Sequence, residues 1–325
     1  MLTCKPAFAL LSILLLLPVA ALPAGLYTDA QLRSSKSKME HNVRAMITRD
    51  IPRKLPGEKK RRLANVRVDL PLRGRNPLEF YSISAQDLVV APVSSIRFFD
   101  DLGILSAWFE HRNCDARYIQ AYLNGLLRQG NDLGNPNAAF GLDRDRLLSI
   151  PDVDNMSLKI TKSGLYFVFA HELGHIFHNH RGGLTPAQSI AQEIEADRFA
   201  IDVFAATGEP PAGAVVFFMA LRWGDPLDKH AARHSHPLSP YRLRVVGERM
   251  TAQPAAFAHA SEDQAAARVR TRDIGHSIIK LSDGLDDDAL LTLLPAGFER
   301  EMPVASYRSA CPGSRSQARN LTAPF

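Results

Sequence analysis

Two histidines and a glutamate within one apolar segment are the residues of this 325-residue chain best suited to chemistry. The segment is His171-Glu172-Leu173-Gly174-His175, the pattern HExxH. On a helix, residues four apart lie about 6 Å apart along the axis and about 40° apart around it, so both imidazoles can bind one metal ion. Glu172 then lies beside the ion, where it can accept a proton from water without being a ligand. The spacing therefore predicts a metal site that activates water.

Such a site needs a third protein ligand, and the residues after His175 offer several candidates. A third histidine six residues later is excluded, because that position holds Arg181. His178 and His180 continue the same segment, but their offsets turn them away from the line of the first two histidines. We interpret them as surface or supporting histidines.

Glu193 is the preferred third ligand. It lies 18 residues after His175, in the segment Glu193-Ile194-Glu195-Ala196-Asp197. A helix–turn–helix of that length places a second helix against the first. Asp197 follows one turn later on the same face and can accept the second ring N–H of a ligand histidine, which fixes the tautomer. Glu195 points about 200° around the helix from Glu193 and is the alternative ligand.

The hydrophobic pattern predicts the elements that position these residues. Residues 164–180 form one apolar helix, and residues 186–206 form the next. Other helices are expected in the ranges 94–129 (two, broken near Asn113), 212–223, 241–250, 261–281 and 286–294. Residues 130–156 are expected to form a long loop, and short strands are expected at 66–70 and 157–160. The fold class is therefore predicted to be mainly α (α+β), with a small edge sheet and a helical C-terminal extension.

Charge and composition narrow the function classes. The chain is 46% apolar and 22% charged, which excludes wholesale disorder and a polytopic membrane protein. Its net charge of +5 is concentrated in residues 33–62, which hold 11 basic and 3 acidic side chains. The rest of the chain is slightly acidic, so no nucleic-acid partner is expected. We interpret the basic stretch as a solvated linker, with weak contact to an anionic membrane surface as the alternative.

The first 24 residues have the pattern of a secretory signal peptide. Lys5 precedes the apolar run 7–17, and small residues follow it up to Ala24. The sequence predicts export to the periplasm or the medium, with an uncleaved membrane anchor as the alternative. Export would place Cys114 and Cys311 in an oxidising compartment, where two cysteines commonly pair, although the sequence leaves their pairing open.

The two site segments together resemble the M48 (Ste24/HtpX-like) zinc metallopeptidases, which are of the gluzincin type. The resemblance extends to residues 235–243, which are similar to that family's His-Pro segment, in which a histidine and a downstream arginine lie near the active site. It implies one Zn²⁺ per chain, held by a gluzincin-like core. The roles that it implies are metal ligands (His171, His175, Glu193), a general base (Glu172), a supporting acid (Asp197) and a histidine facing the zinc or the oxyanion (His236).

The same residues also resemble the ImmA/IrrE-like regulatory peptidases, which are cytoplasmic, so the signal peptide and the His-Pro segment argue against them. We therefore predict an exported zinc metalloendopeptidase that hydrolyses polypeptides, with misfolded envelope proteins as candidate substrates. The alternative is a non-catalytic, zinc-stabilised chaperone or regulator of envelope proteins. The predicted segments are a signal peptide (1–24), a basic, flexible lead-in (25–85), the metallopeptidase domain (86–250) and the C-terminal extension (251–325).

Overall fold

The structure is a computed structural model that describes residues 25–182, 184–224, 240–259, 261–286 and 297–311. The described residues are mainly helical and include one three-stranded sheet, which confirms the predicted fold class. The signal-peptide segment and His236 lie outside the described residues. Within the parts that are described, every helix is too short or too polar to cross a bilayer.

The N-terminal part of the structure is helical. Helices α1 (Asp29–Ala45), α2 (Ile51–Arg53) and α3 (Gly57–Arg62) follow one another, with a π-helical turn, Met46–Asp50, between the first two. Thr28 starts α1 through a capping box with Gln31.

The prediction of a flexible, solvated lead-in is therefore wrong for this stretch. Leu32 and Ile47 are fully buried. Two basic side chains bind backbone carbonyls of the next segment: Lys36 Nζ donates to Leu70 O at 2.8 Å, and Arg44 Nη1 donates to Val68 O at 2.7 Å. The sequence did not predict this helix because its many basic residues favoured a solvated segment. The apolar residues between them become buried only by packing against the rest of the protein.

The sheet contains strands β1 (Arg67–Asp69), β2 (Tyr81–Ile83) and β3 (Leu88–Val90) in the order β1-β3-β2. β3 pairs in parallel with β1 and antiparallel with β2. β1 confirms the strand predicted at 66–70. The sheet leads directly into the helices that carry the core.

Further along the described chain lie the helices α4 (Val93–His111), α5 (Arg117–Leu123), α6 (Pro136–Ala139), α7 (Arg144–Leu148), α8 (Pro151–His178), α9 (Pro186–Thr207), α10 (Ala212–Gly224), α11 (Pro240–Ala252) and α12 (Gln264–Asp286). α4 ends just before Asn113, which takes a positive φ of 51°, close to the predicted break. α9, α10 and α11 agree with their predicted ranges to within two residues.

α8 is the central helix, and it begins earlier than predicted. The strand predicted at 157–160 is wrong, since these residues lie within α8. Pro151 occupies the first turn together with Asp152 and Asp154, where acidic side chains interact favourably with the helix dipole. In the sequence, the polar character of these residues had favoured the long loop predicted at 130–156.

Two glycines of α8 let neighbouring helices approach it closely. A Cβ at Gly164 would lie 2.3 Å from Phe99 Cζ of α4. A Cβ at Gly174 would lie 3.0 Å from the Ala196 Cα of α9. The glycine inside the HExxH segment therefore sets how near α9, with its acidic residues, comes to the histidines.

Cys114 and Cys311 form a disulfide, with their Cα atoms 5.1 Å apart across a sequence separation of 197 residues. The bridge holds the 3₁₀ helix Val304–Ser309 on the core, where the ring of Tyr307 stacks on Phe140 with ring centroids 5.0 Å apart. This is the pairing that the sequence left open.

Removing the bridge should destabilise the fold without disturbing the site. We expect the double variant Cys114→Ser/Cys311→Ser to lose about 2–4 kcal/mol of unfolding free energy, because a long loop of the unfolded chain is no longer closed. Urea unfolding followed by circular dichroism measures the change. The control is the parent protein under reducing conditions, which should lose the same amount of unfolding free energy. An unchanged urea midpoint in both the variant and the reduced parent would contradict the bridge.

Candidate metal centre

The C-terminal half of α8 presents the HExxH residues inside the protein. His171 and His175 are 5% and 7% exposed, and Glu172 is 1% exposed. The helix ends after His178, because Asn179 takes a left-handed conformation with φ of 54°. Its last carbonyls are bound from the N-terminal part of the chain: Ser84 Oγ donates to His175 O at 3.1 Å, and Arg62 Nη2 donates to Ile176 O at 3.1 Å.

α9 brings the acidic residues to this helix. Its start is fixed by Thr185 in a capping box with Gln188, followed by Pro186 in the first turn. Two turns later Glu193 is 2% exposed, and Asp197 is fully buried. Both acidic side chains lie on the face that packs against α8, as their spacing predicted.

Three side chains converge at the centre of the site. His171 Nε2 lies 3.0 Å from His175 Nε2, and each of these atoms lies 3.3 Å from a Glu193 carboxylate oxygen. Two ligands bound to zinc at 2.0–2.1 Å with tetrahedral angles are about 3.3 Å apart. The three residues therefore form a group that could hold a metal ion, and a His₂Glu set leaves a fourth position for water. The structure places Glu193, and not Glu195, between the two histidines.

Asp197 binds His171, and Arg242 binds Glu193. His171 Nδ1 donates to Asp197 Oδ1 at 2.8 Å, so the neutral form of the ring would carry its lone pair on Nε2, which faces the centre. Arg242 of α11 donates to both oxygens of Asp197, from Nε at 2.8 Å and from Nη2 at 3.0 Å. Its Nη1 lies 3.0 Å from Glu193 Oε2. One buried guanidinium thus holds both carboxylates in place.

Arg242 was not singled out as a site residue from the sequence. The only signal for it was the downstream arginine of the His-Pro segment, which the family resemblance associates with the active site. Arg242 is 2% exposed, and an arginine is buried in this way only with anionic partners. Its two partners, Asp197 and Glu193, belong to α9 and precede it by 45 and 49 residues.

The charges of the site shift its pKa values in opposite directions. Burial by itself lowers the pKa of His171, but hydrogen bonds and charges from Asp197 and Glu193 outweigh it and raise the pKa to about 10. Burial, together with the charge of His171, lowers the pKa of His175 to about 4. Burial would raise the pKa of Asp197, yet Arg242 and His171 lower it. These opposite shifts place one positive charge on His171, beside the two buried carboxylates, and leave His175 neutral.

His180 contacts the site from just beyond the end of α8. Its Nδ1 lies 2.8 Å from His175 Nδ1, and its Nε2 lies 2.9 Å from Glu195 Oε2. This agrees with its interpretation as a supporting histidine, and Glu195 is 54% exposed, as predicted. The other sequence-predicted site residue, His236, lies outside the described residues.

Comparison with known proteins points to a peptidase. A family model described as Peptidase U49 matches residues 135–261, a range that contains α8, α9 and Arg242. U49 is a family distinct from M48, so the finding supports the peptidase class but not the M48 resemblance specifically. No curated protein and no solved structure matches the chain. A peptidase acts on polypeptides, in agreement with the predicted substrate class.

Proposed function

We propose that this protein is a zinc-dependent endopeptidase that works outside the cytoplasm. The observation that carries the proposal is the buried triangle of His171, His175 and Glu193, whose ligand atoms are 3.0–3.3 Å apart, within a segment that matches a peptidase family. Two imidazoles and one carboxylate are a typical donor set for catalytic zinc.

Both a bound metal ion and side chains of the protein would contribute to peptide hydrolysis. When bound, zinc lowers the pKa of a water molecule to about 7 and polarises a carbonyl group. Glu172, on the same helix turn as both histidines, accepts a proton from the attacking water and transfers it to the leaving amine nitrogen. His236 is the sequence's candidate for a hydrogen bond to the oxyanion.

The supporting residues keep the ligands in their binding form. Asp197 accepts a hydrogen bond from His171 Nδ1, so that the neutral ring would have its lone pair on Nε2, where a metal binds. Arg242 balances the negative charge of the neighbouring Asp197 and Glu193 side chains and, together with His171, holds the pKa of Asp197 below its usual value. These contacts are what the proposed zinc site requires of its surroundings.

Two features support action in an exported compartment. The first is the signal-peptide pattern of residues 1–24. The second is the Cys114–Cys311 disulfide, since such bonds form and persist in oxidising environments. Envelope polypeptides, misfolded ones included, are accordingly the proposed substrates.

Metal removal tests the proposal directly. We expect the purified protein to contain about one catalytic zinc per chain, to digest casein, and to lose this activity on dialysis against a chelator. Adding back one equivalent of Zn²⁺ should restore the activity and raise the melting temperature, because the ion binds the folded state selectively. Metal analysis and casein digestion measure both effects. Digestion that persists in metal-free protein would contradict the proposal.

A further inference from the structure

A second group of potential metal ligands lies at the end of α8, next to the first. His178, His180 and Glu195 each offer one ligand atom, and these atoms lie within 4.8 Å of one another. The rings of His178 and His180 are stacked, with centroids 5.4 Å apart and planes 16° apart. The His180 side chain is only 6% exposed, whereas His178 and Glu195 are exposed and can rotate toward an ion. Two imidazoles and a carboxylate suit zinc here as well.

The two groups share a hydrogen bond through His180. A metal ion on His175 Nε2 requires that the proton of this neutral ring be on Nδ1. Because His180 Nδ1 lies 2.8 Å away, it must then accept that proton's hydrogen bond. The proton of His180 is consequently on Nε2 and is donated to Glu195 Oε2 at 2.9 Å. The chain from His175 through His180 to Glu195 is thus consistent with an occupied first site.

Binding of a metal at His180 Nε2 breaks this arrangement. The neutral His180 ring then carries its proton on Nδ1, where it faces the Nδ1 proton of His175. Two donors 2.8 Å apart have no acceptor between them, so the hydrogen bond that orients His175 is lost. Simultaneous occupancy of the two groups is therefore unfavourable.

We propose that His178, His180 and Glu195 form a second, weaker zinc site whose occupancy weakens metal binding at the first. The inference rests on the proposed function for the identity of the first site. The second site is weaker because His178 and Glu195 are exposed and must become ordered to hold an ion, whereas the three residues of the first site are buried and already converge. Linkage makes the effect mutual, so that each metal lowers the affinity of the other by the same factor.

The test is a calorimetric titration of Zn²⁺ into the metal-free full-length protein. We expect one tight and one weak binding event in the parent, and only the tight event in His178→Ala and in Glu195→Gln. Both replacements are at exposed positions, and the glutamine oxygen still accepts from His180, so the support of His175 is kept. His276→Ala, which removes another exposed histidine, is the matched control and should retain both events.

A first-site variant measures the coupling. In His171→Ala the weak event should remain and become roughly 10–100-fold tighter than in the parent, the range typical for loss of an outer hydrogen bond to a metal-bound histidine. His171→Ala/His178→Ala should bind no zinc. One event in the parent that is abolished by His171→Ala and unaffected by His178→Ala would overturn the second site.

Other results of the same titrations would overturn the first site or the assignment of the ligands. A single event in the parent that depends on His178, with the same affinity in His171→Ala, would overturn the first site and the coupling together. Two events in His178→Ala as well as in the parent would overturn the assignment of the ligands. The variants at the exposed positions His178 and Glu195 test the second site independently of whether the His171 variant folds.

Discussion

Replacing Glu172 by glutamine is expected to lower the rate of peptide hydrolysis by roughly 10²–10⁴-fold, the usual contribution of a general acid–base group. Glutamine keeps the size of the side chain but cannot accept a proton at neutral pH. Since Glu172 is not among the three converging ligands, we expect the variant to retain its zinc. Initial rates of casein digestion and the zinc content of the purified variant measure the two effects.

The matched control for this variant is Glu248→Gln, which makes the same chemical change at an exposed position of α11. It should digest casein at the parental rate. Full activity in Glu172→Gln would contradict its role as the base. Loss of zinc together with activity would instead make Glu172 part of the metal-binding structure. A parent protein that binds zinc but digests nothing would favour the non-catalytic alternative.

Replacing Arg242 by leucine should destabilise the metal-free protein by about 3–5 kcal/mol, the cost of breaking a buried ion pair by removing one partner. The guanidinium is 2% exposed and binds Asp197 and Glu193, which are buried just as deeply. Leucine fills much of the space yet leaves both carboxylates without their shared cation. Urea unfolding in the presence of a chelator measures the loss.

Zinc should offset part of this loss, since the ion supplies positive charge next to Glu193. We therefore expect Arg242→Leu to be closer to the parent in stability with zinc than without it. Arg244→Leu is the control: Arg244 is 36% exposed and pairs with Asp283, so its removal should cost about 1 kcal/mol or less. Equal losses in the two variants would contradict the role of Arg242 as the shared cation of the two buried carboxylates.

Helical periodicity was sufficient to predict the centre of the site. The spacing of His171 and His175 places two imidazoles on one helix face, and the interval to Glu193 allows a second helix to return beside the first. The contact between His171 and Asp197 follows from the same periodicity, one turn beyond Glu193. These relations are local in sequence, so they could be inferred without knowing the rest of the fold.

Contacts distant in sequence could not be inferred in this way. Arg242 reaches Asp197 across 45 residues, and the basic residues of α1 bind carbonyls more than twenty residues away. The contact of His180 with His175 depends on α8 ending at Asn179, since a continued helix would have turned the two rings apart. Burial and the choice of partners depend on which surfaces meet, and this information is present only in the folded chain.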